Sequence, residues 1–232
     1  MIVNDFHKFI FVHIPKSAGS SMTKALKRLP GNNSDLTNHK TKHETLAEFF
    51  QEAGKRCPPP ADTKEVAWQS YFKFGFVRNP WDRIASLYAY LQEAQPRPEI
   101  KSINSFAQFL EEFDAGEKWI AKLRSMRPQH EFFLDESGKM AADFIGCHEM
   151  LGEDFNQLQK HFGISLSLPH ANKSSNSERD YRSNYSDKLV EIVGRRFAAD
   201  ISYFGYQFEV KVPALNTGFK DSKIINNPAN PG

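Results

Sequence analysis

Phe11-Val12-His13-Ile14-Pro15-Lys16-Ser17-Ala18-Gly19-Ser20-Ser21 is the stretch on which the fold turns. The apolar run 9–14 is stopped by Pro15, the mark of a short strand buried on both faces. A loop of small residues follows at 15–19. From Ser20 the apolar positions Met22, Ala25, Leu26 and Leu29 recur at helical spacing until Pro30-Gly31. A strand feeding a small-residue loop feeding a helix aims the helix's first N–H groups, and the positive end of its dipole, at one point. An anion can approach that backbone only where side chains are small. Ser17, Ser20 and Ser21 add hydroxyls there, and Lys16 adds a full charge. This is the chemistry of phosphate binding. It is not the G-x-x-x-x-G-K-[ST] pattern, because the lysine comes first and no leading glycine exists. A capped helix after a tight turn, with Lys16 in solvent, accounts for the same residues without a ligand.

The geometry recurs further along. Residues 71–77 read as a second buried strand, running into Arg78-Asn79-Pro80 and then a helix with Ile84, Leu87, Tyr88 and Leu91 on one face. Pro80 suits the first turn of that helix. Arg78 stands at the strand's end, placed to offer its planar fork to an oxyanion. Ser86 lies just over two helical turns on, and both can face one phosphate; Arg83 is a weaker candidate. The competing reading pairs Arg78 with Asp82 and leaves Ser86 an ordinary helical serine.

Around these two units the pattern alternates. Helices are expected over 44–53, 105–113, 119–123, 149–162 and 187–203, and short strands over 132–134 and 143–147, with a polar loop at 165–185. The order predicts a single α/β domain over 1–210, built on a largely parallel sheet with helices on both faces. The stretch 211–232 loses periodicity and gains Pro and Asn, so a loose tail is expected there.

Composition narrows the partners. A net charge of +2 on 232 residues argues against nucleic acid as the main partner. The charge is uneven: residues 1–90 hold 13 Lys and Arg against 8 Asp and Glu, and the remainder 17 against 20. The basic excess therefore sits with the two loops. Twenty phenylalanines predict a core of large rings. Two cysteines, Cys57 and Cys147, build no disulfide framework; Cys147 reads as a core residue. No apolar stretch approaches the roughly 20 residues of a membrane span. The amino terminus lacks a basic segment and cleavage site, so a cytoplasmic protein is expected.

Taken in order, FVHIPKSAGSS at 11–21 and FKFGFVRNPWDRIASLY at 72–88 resemble the nucleotide-binding signatures of sulfotransferases that use 3′-phosphoadenosine 5′-phosphosulfate (PAPS), closest to the carbohydrate (Golgi-type) family and its soluble bacterial relatives. DFIGCHEML at 143–151, LPHANKS at 168–174 and ISYFGYQF at 201–208 add weaker likenesses. The resemblance implies a P-loop-like sheet with the cofactor at the strands' carboxyl ends. It implies that Lys16, Ser17, Ala18, Gly19, Ser20 and Ser21 hold the 5′-phosphosulfate, that Arg78 and Ser86 hold the 3′-phosphate, and that Lys173 and Ser174 close over the nucleotide. The chain departs from the family at His148-Glu149, where an aromatic residue and Glu are more usual, and the membrane anchor of the Golgi enzymes is not expected in it.

The reaction so implied is in-line sulfuryl transfer to a hydroxyl, without a metal, releasing 3′,5′-ADP. Lys16 serves the leaving group. His43 is the first choice for the base, since the family tends to carry a histidine before the second strand, with Glu44 as fallback. His13 reads as packing; His39 and His170 are further histidines near the loops. Two other readings account for the motifs. A nucleotide-dependent kinase with a divergent loop needs Mg²⁺, yet Asp82 and Glu44 form no evident pair to hold it. A non-catalytic module binding a nucleotide or a sulfated glycan needs no base. The acceptor is a small molecule or a glycan, with a carbohydrate favoured. Phe106, Phe109, Phe113 and Trp119, with Lys118, Lys122 and Arg124, either border it or pack as an amphipathic helix, and the packing reading is preferred.

Overall fold

The computed structural model describes residues 1–33, 43–56, 70–93, 98–169, 180–210, 212–214 and 217–220. Its strands are β1 (Ile2–Asn4), β2 (Phe9–Val12), β3 (Phe72–Val77), β4 (Phe144–Cys147) and β5 (Gly218–Phe219), and they lie in the sheet in that order. The helices are α1 (Gly19–Leu26), α2 (Leu46–Arg56), α3 (Pro80–Glu93), α4 (Phe106–Asp114), α5 (Lys118–Ala121), α6 (Leu151–Phe162), α7 (Asp187–Arg196) and α8 (Ala198–Phe204).

β2, β3 and β4 are parallel, with Val12 beside Gly75 and Val77 beside Cys147. The expected parallel sheet is thus its centre, while both edges are antiparallel. β1 returns into β2 through a turn that holds Lys8 at φ 54°, and so tight a connection joins only antiparallel strands. β5 arises within the stretch expected as tail and sets the Phe219 ring 4.8 Å from that of Phe144. With three and two residues, neither edge strand is long enough to show an alternating pattern.

Period-two alternation sorts the strand side chains onto two faces. Phe9, Phe11, Phe74, Phe76 and Phe144 share one face with Met22, Ala25 and Leu26 of α1 and Phe155 and Leu158 of α6. Their rings meet edge-on: Phe9 and Phe74 lie 5.4 Å apart at 68°, an arrangement that pairs positive ring edges with negative faces. Gly146 belongs to this layer, since a Cβ there would come within 2.4 Å of the Phe76 ring. The opposite face carries Ile10, Val12, Val77, Ile145 and Cys147 against α2, α3, α4 and α7. Cys147 is a core residue, as expected, and burial pushes its thiol up to about 12.

Two expected elements differ. Residues 132–134 are not a strand. His130–Phe133 form a 3-10 turn that buries Phe132 and Phe133 fully, and Leu134 makes only an isolated bridge to Met140. The single helix expected over 187–203 breaks at Phe197 (φ −117°, ψ 27°), separating α7 from α8 and turning Asp200 into the core.

Candidate active site

Parallel pairing brings the carboxyl ends of β2, β3 and β4 to one edge of the sheet, where open α/β sheets receive ligands. The loop after β2 holds Lys16 at φ 67° and Ala18 at φ 61°, both left-handed without being glycine. Such residues cost about 1 kcal/mol each and persist where surrounding contacts over-determine them. The N-cap residue of α1 is Ala18, which has no side-chain acceptor to offer the first-turn N–H groups. Gly19 is dictated by contact: a Cβ there would fall 2.0 Å from His13 Nε2. His13 is thus packing, as expected, and its ring forms the floor of the loop.

The Lys16 ammonium lies 4.3 Å from the centre of the Tyr90 ring. Burial, reinforced by the charge of Arg78 and opposed by Glu93, lowers its pKa to about 8. Ser17 is buried and donates its hydroxyl inward, to Gln129 Oε1 at 3.1 Å. Ser21 is buried and Ser20 is exposed.

Arg78 forks onto Asp82, with Nε and Nη2 each 2.8 Å from a carboxylate oxygen, and its Nη1 donates to the Lys16 carbonyl at 3.1 Å. A guanidinium has five N–H bonds. With three so engaged, one remains on each terminal nitrogen. The Asp82 pairing foreseen as the competing reading is therefore present, and it aims the fork rather than exhausting it. On α3, Asp82, Ser86 and Tyr90 follow at four-residue spacing and share one face. Ser86 thus lies between the residue that holds Arg78 and the residue beneath Lys16.

His43 follows from the loop's floor. Its Nδ1 is 2.8 Å from the His13 carbonyl, and its ring meets the His13 ring edge-on at 4.5 Å. A carbonyl only accepts, so the neutral ring carries its proton on Nδ1 and its basic lone pair on Nε2. Glu44, the fallback base, is buried beside it.

A family model of sulfotransferases matches residues 1–207. The chain belongs to the sulfotransferase family. Carbohydrate sulfotransferase 14 of Mus musculus is 26% identical over 181 residues, covering 68% of this chain and 45% of that protein. The protein of the same name from Danio rerio is 34% identical over 90 residues, or 38% of this chain and 23% of that protein. An uncharacterised protein of Archaeoglobus fulgidus is 31% identical over 102 residues, covering 44% of this chain and 75% of that protein. The chain spans less than half the length of the two carbohydrate sulfotransferases. No solved structure gives a significant match.

In this sulfotransferase chain, Arg83 is not a phosphate ligand. It is fully buried, donates to the Arg127 carbonyl at 3.0 Å and lies 5.3 Å from the Phe197 ring centre. Helical spacing turns Arg83 toward the core and Ser86 toward the loops. Lys173, Ser174, His39, His170 and Cys57 lie outside the described residues.

The sequence reading also omits residues that complete the site. Tyr90 was legible as the next turn of the Asp82–Ser86 face. Gln129 was not, because no periodicity marks it; its role appears only where it bonds Ser17 and Arg78. Glu149 accepts from the Asn79 N–H at 2.7 Å, and burial raises its carboxyl to about 7. Burial and the nearby Arg78 lower His148 to about 4. Asp82, His148 and Glu149 bring ligand atoms within 4.8 Å of one another. A cation there would compete with Arg78 for Asp82 and with the Asn79 N–H for Glu149.

Proposed function

We propose that this chain transfers a sulfuryl group from PAPS to a hydroxyl of a carbohydrate acceptor. The observation that carries the reading is the union of two anion cradles: Arg78, which opens the second, donates to the Lys16 carbonyl of the first at 3.1 Å. The residues suit a nucleotide phosphorylated at both ends. One cradle offers a helix start with alanine at its N-cap and a lysine, and the other an arginine with two donors to give.

When bound, the cofactor supplies the sulfuryl group. Arg78 and Ser86 hold the 3′-phosphate, and residues 16–21 hold the 5′ end. Lys16 meets the negative charge that develops on the leaving oxygen, a role that needs its ammonium form. His43 takes the acceptor hydroxyl's proton at Nε2, with Nδ1 anchored on the His13 carbonyl. The acceptor enters from a basic groove of about 780 Å³ whose lining includes Lys122, Arg124, Arg127, Arg195 and Arg196. Arg124 links groove to base, donating to the His43 carbonyl at 3.1 Å. Of the aromatic residues considered for the acceptor, Phe113 reaches this groove from the core, Phe109 is core, and Phe106 and Trp119 pack against it.

Thermal shift with 3′,5′-ADP, 5′-AMP and ATP tests the cofactor. Stabilisation by 3′,5′-ADP well beyond the other two is expected, and a larger shift with ATP, dependent on Mg²⁺, would replace this reading with a kinase.

A further inference from the structure

We propose that Gln129 is a positioning residue that locks the two anion cradles into one site. The proposal rests on the reading above, in which both cradles hold one nucleotide. Gln129 is fully buried. Its Oε1 accepts from the Ser17 hydroxyl at 3.1 Å and from the Arg78 N–H at 2.9 Å, while its Nε2 donates to the Arg78 carbonyl at 2.7 Å. One amide thus grips the Arg78 peptide on both sides and reaches across to the loop after β2.

The position of Gln129 is itself set by buried opposite charges. Asp200, fully buried, accepts from the backbone N–H groups of Gln129 at 2.6 Å and His130 at 2.9 Å, and bonds His130 Nδ1 at 2.7 Å. Arg83 donates to the Arg127 carbonyl, and its Nε and Nη1 have no hydrogen-bond partner among the described residues. A cation therefore holds the carbonyl end of segment 127–130, and an anion holds its amide end. Apolar replacement of buried ion pairs is often neutral or stabilising, so stability alone gives no reason for charges here. Placement of Gln129 does. Phosphates held at two ends of one ligand require the cradles at a fixed separation, and small misplacements of binding groups are costly to transfer reactions.

Gln129→Glu keeps the shape and one acceptor oxygen but sets a second oxygen against the Arg78 carbonyl. Two readouts on the full chain test the lock: backbone hydrogen exchange over 16–21 and 78–82 without ligand, and the ratio of affinities for 3′,5′-ADP and 5′-AMP. Both segments should exchange faster together, and the ratio should fall about tenfold, the scale of one or two lost hydrogen bonds. A residue serving stability alone would lower the melting temperature and leave the ratio as it was. A folded variant with an unchanged ratio, or with only one loop released, overturns the proposal. Should Gln129→Glu fail to fold, Gln129→Met, which keeps the side chain's length and removes all three of its bonds, decides by the same readouts. A wild-type chain that binds both nucleotides equally refutes the cofactor reading instead, and joint release of the loops then decides for or against the lock.

Discussion

The Arg78 guanidinium donates to the backbone carbonyl of Lys16 at 3.1 Å, so two loops separated in sequence by α1, α2 and β3 meet at one bond. Arg78 therefore has two duties, holding the first loop and presenting its remaining donors. Arg78→Ala should weaken 3′,5′-ADP far more than 5′-AMP. Arg78→Lys should rescue little, because an ammonium cannot fork onto Asp82 and reach the Lys16 carbonyl together. Equal losses for both nucleotides in a titration would remove Arg78 from the 3′-phosphate.

Lys16→Ala should lower kcat/KM by about 3–4 kcal/mol of transition-state stabilisation while the fold holds. The charged form is the useful one, and the Lys16 pKa in the free protein is lowered to about 8. Activity in kcat/KM should therefore decline as pH rises through about 8. A profile flat to pH 9.5 would count against Lys16 acting as a cation.

His43→Ala should reduce kcat by roughly 10²–10⁴-fold and leave 3′,5′-ADP affinity near wild type, since the ring is anchored on a carbonyl and not on the cradle's donors. Parallel loss of affinity and turnover would make His43 a structural residue of the loop.

His130 offers a stability test. Burial lowers its pKa, but the hydrogen bond and charge of Asp200 outweigh that and raise it overall. Protonated His130 thus contributes stability that is complete below about pH 6.5 and is lost as pH rises through the folded value. The melting difference between wild type and His130→Gln should shrink across that window. Asp200→Asn should destabilise by about 3–5 kcal/mol, more at low pH than at high, because it leaves Arg83 buried without a counter-charge and takes away the anion that protonated His130 pairs with.

Glu149 shifts stability in the same direction with pH, from a different cause. With its carboxyl raised by burial to about 7, the fold loses stability as pH rises from about 4.5 to about 7. Glu149→Gln keeps the acceptor for Asn79 and escapes that loss. Its melting temperature relative to wild type should climb across the window and level off above it.

The chain's own order of residues determined the central architecture: apolar runs at 9–14 and 71–77, a helix opened by Pro80, and phosphate chemistry in 15–21 all describe neighbours along the backbone, where period and turn chemistry operate. Ser86 and Tyr90 were accessible in the same way, one helical turn apart on the face of Asp82. Tertiary structure alone decided the rest. It set β1 and β5 on the sheet edges, broke the last long helix so that Asp200 faces inward, and placed Gln129 between Ser17 and Arg78. Those choices depend on which groups meet across the fold and on how buried charge and hydrogen-bond demand are satisfied there, and sequence spacing carries no record of either.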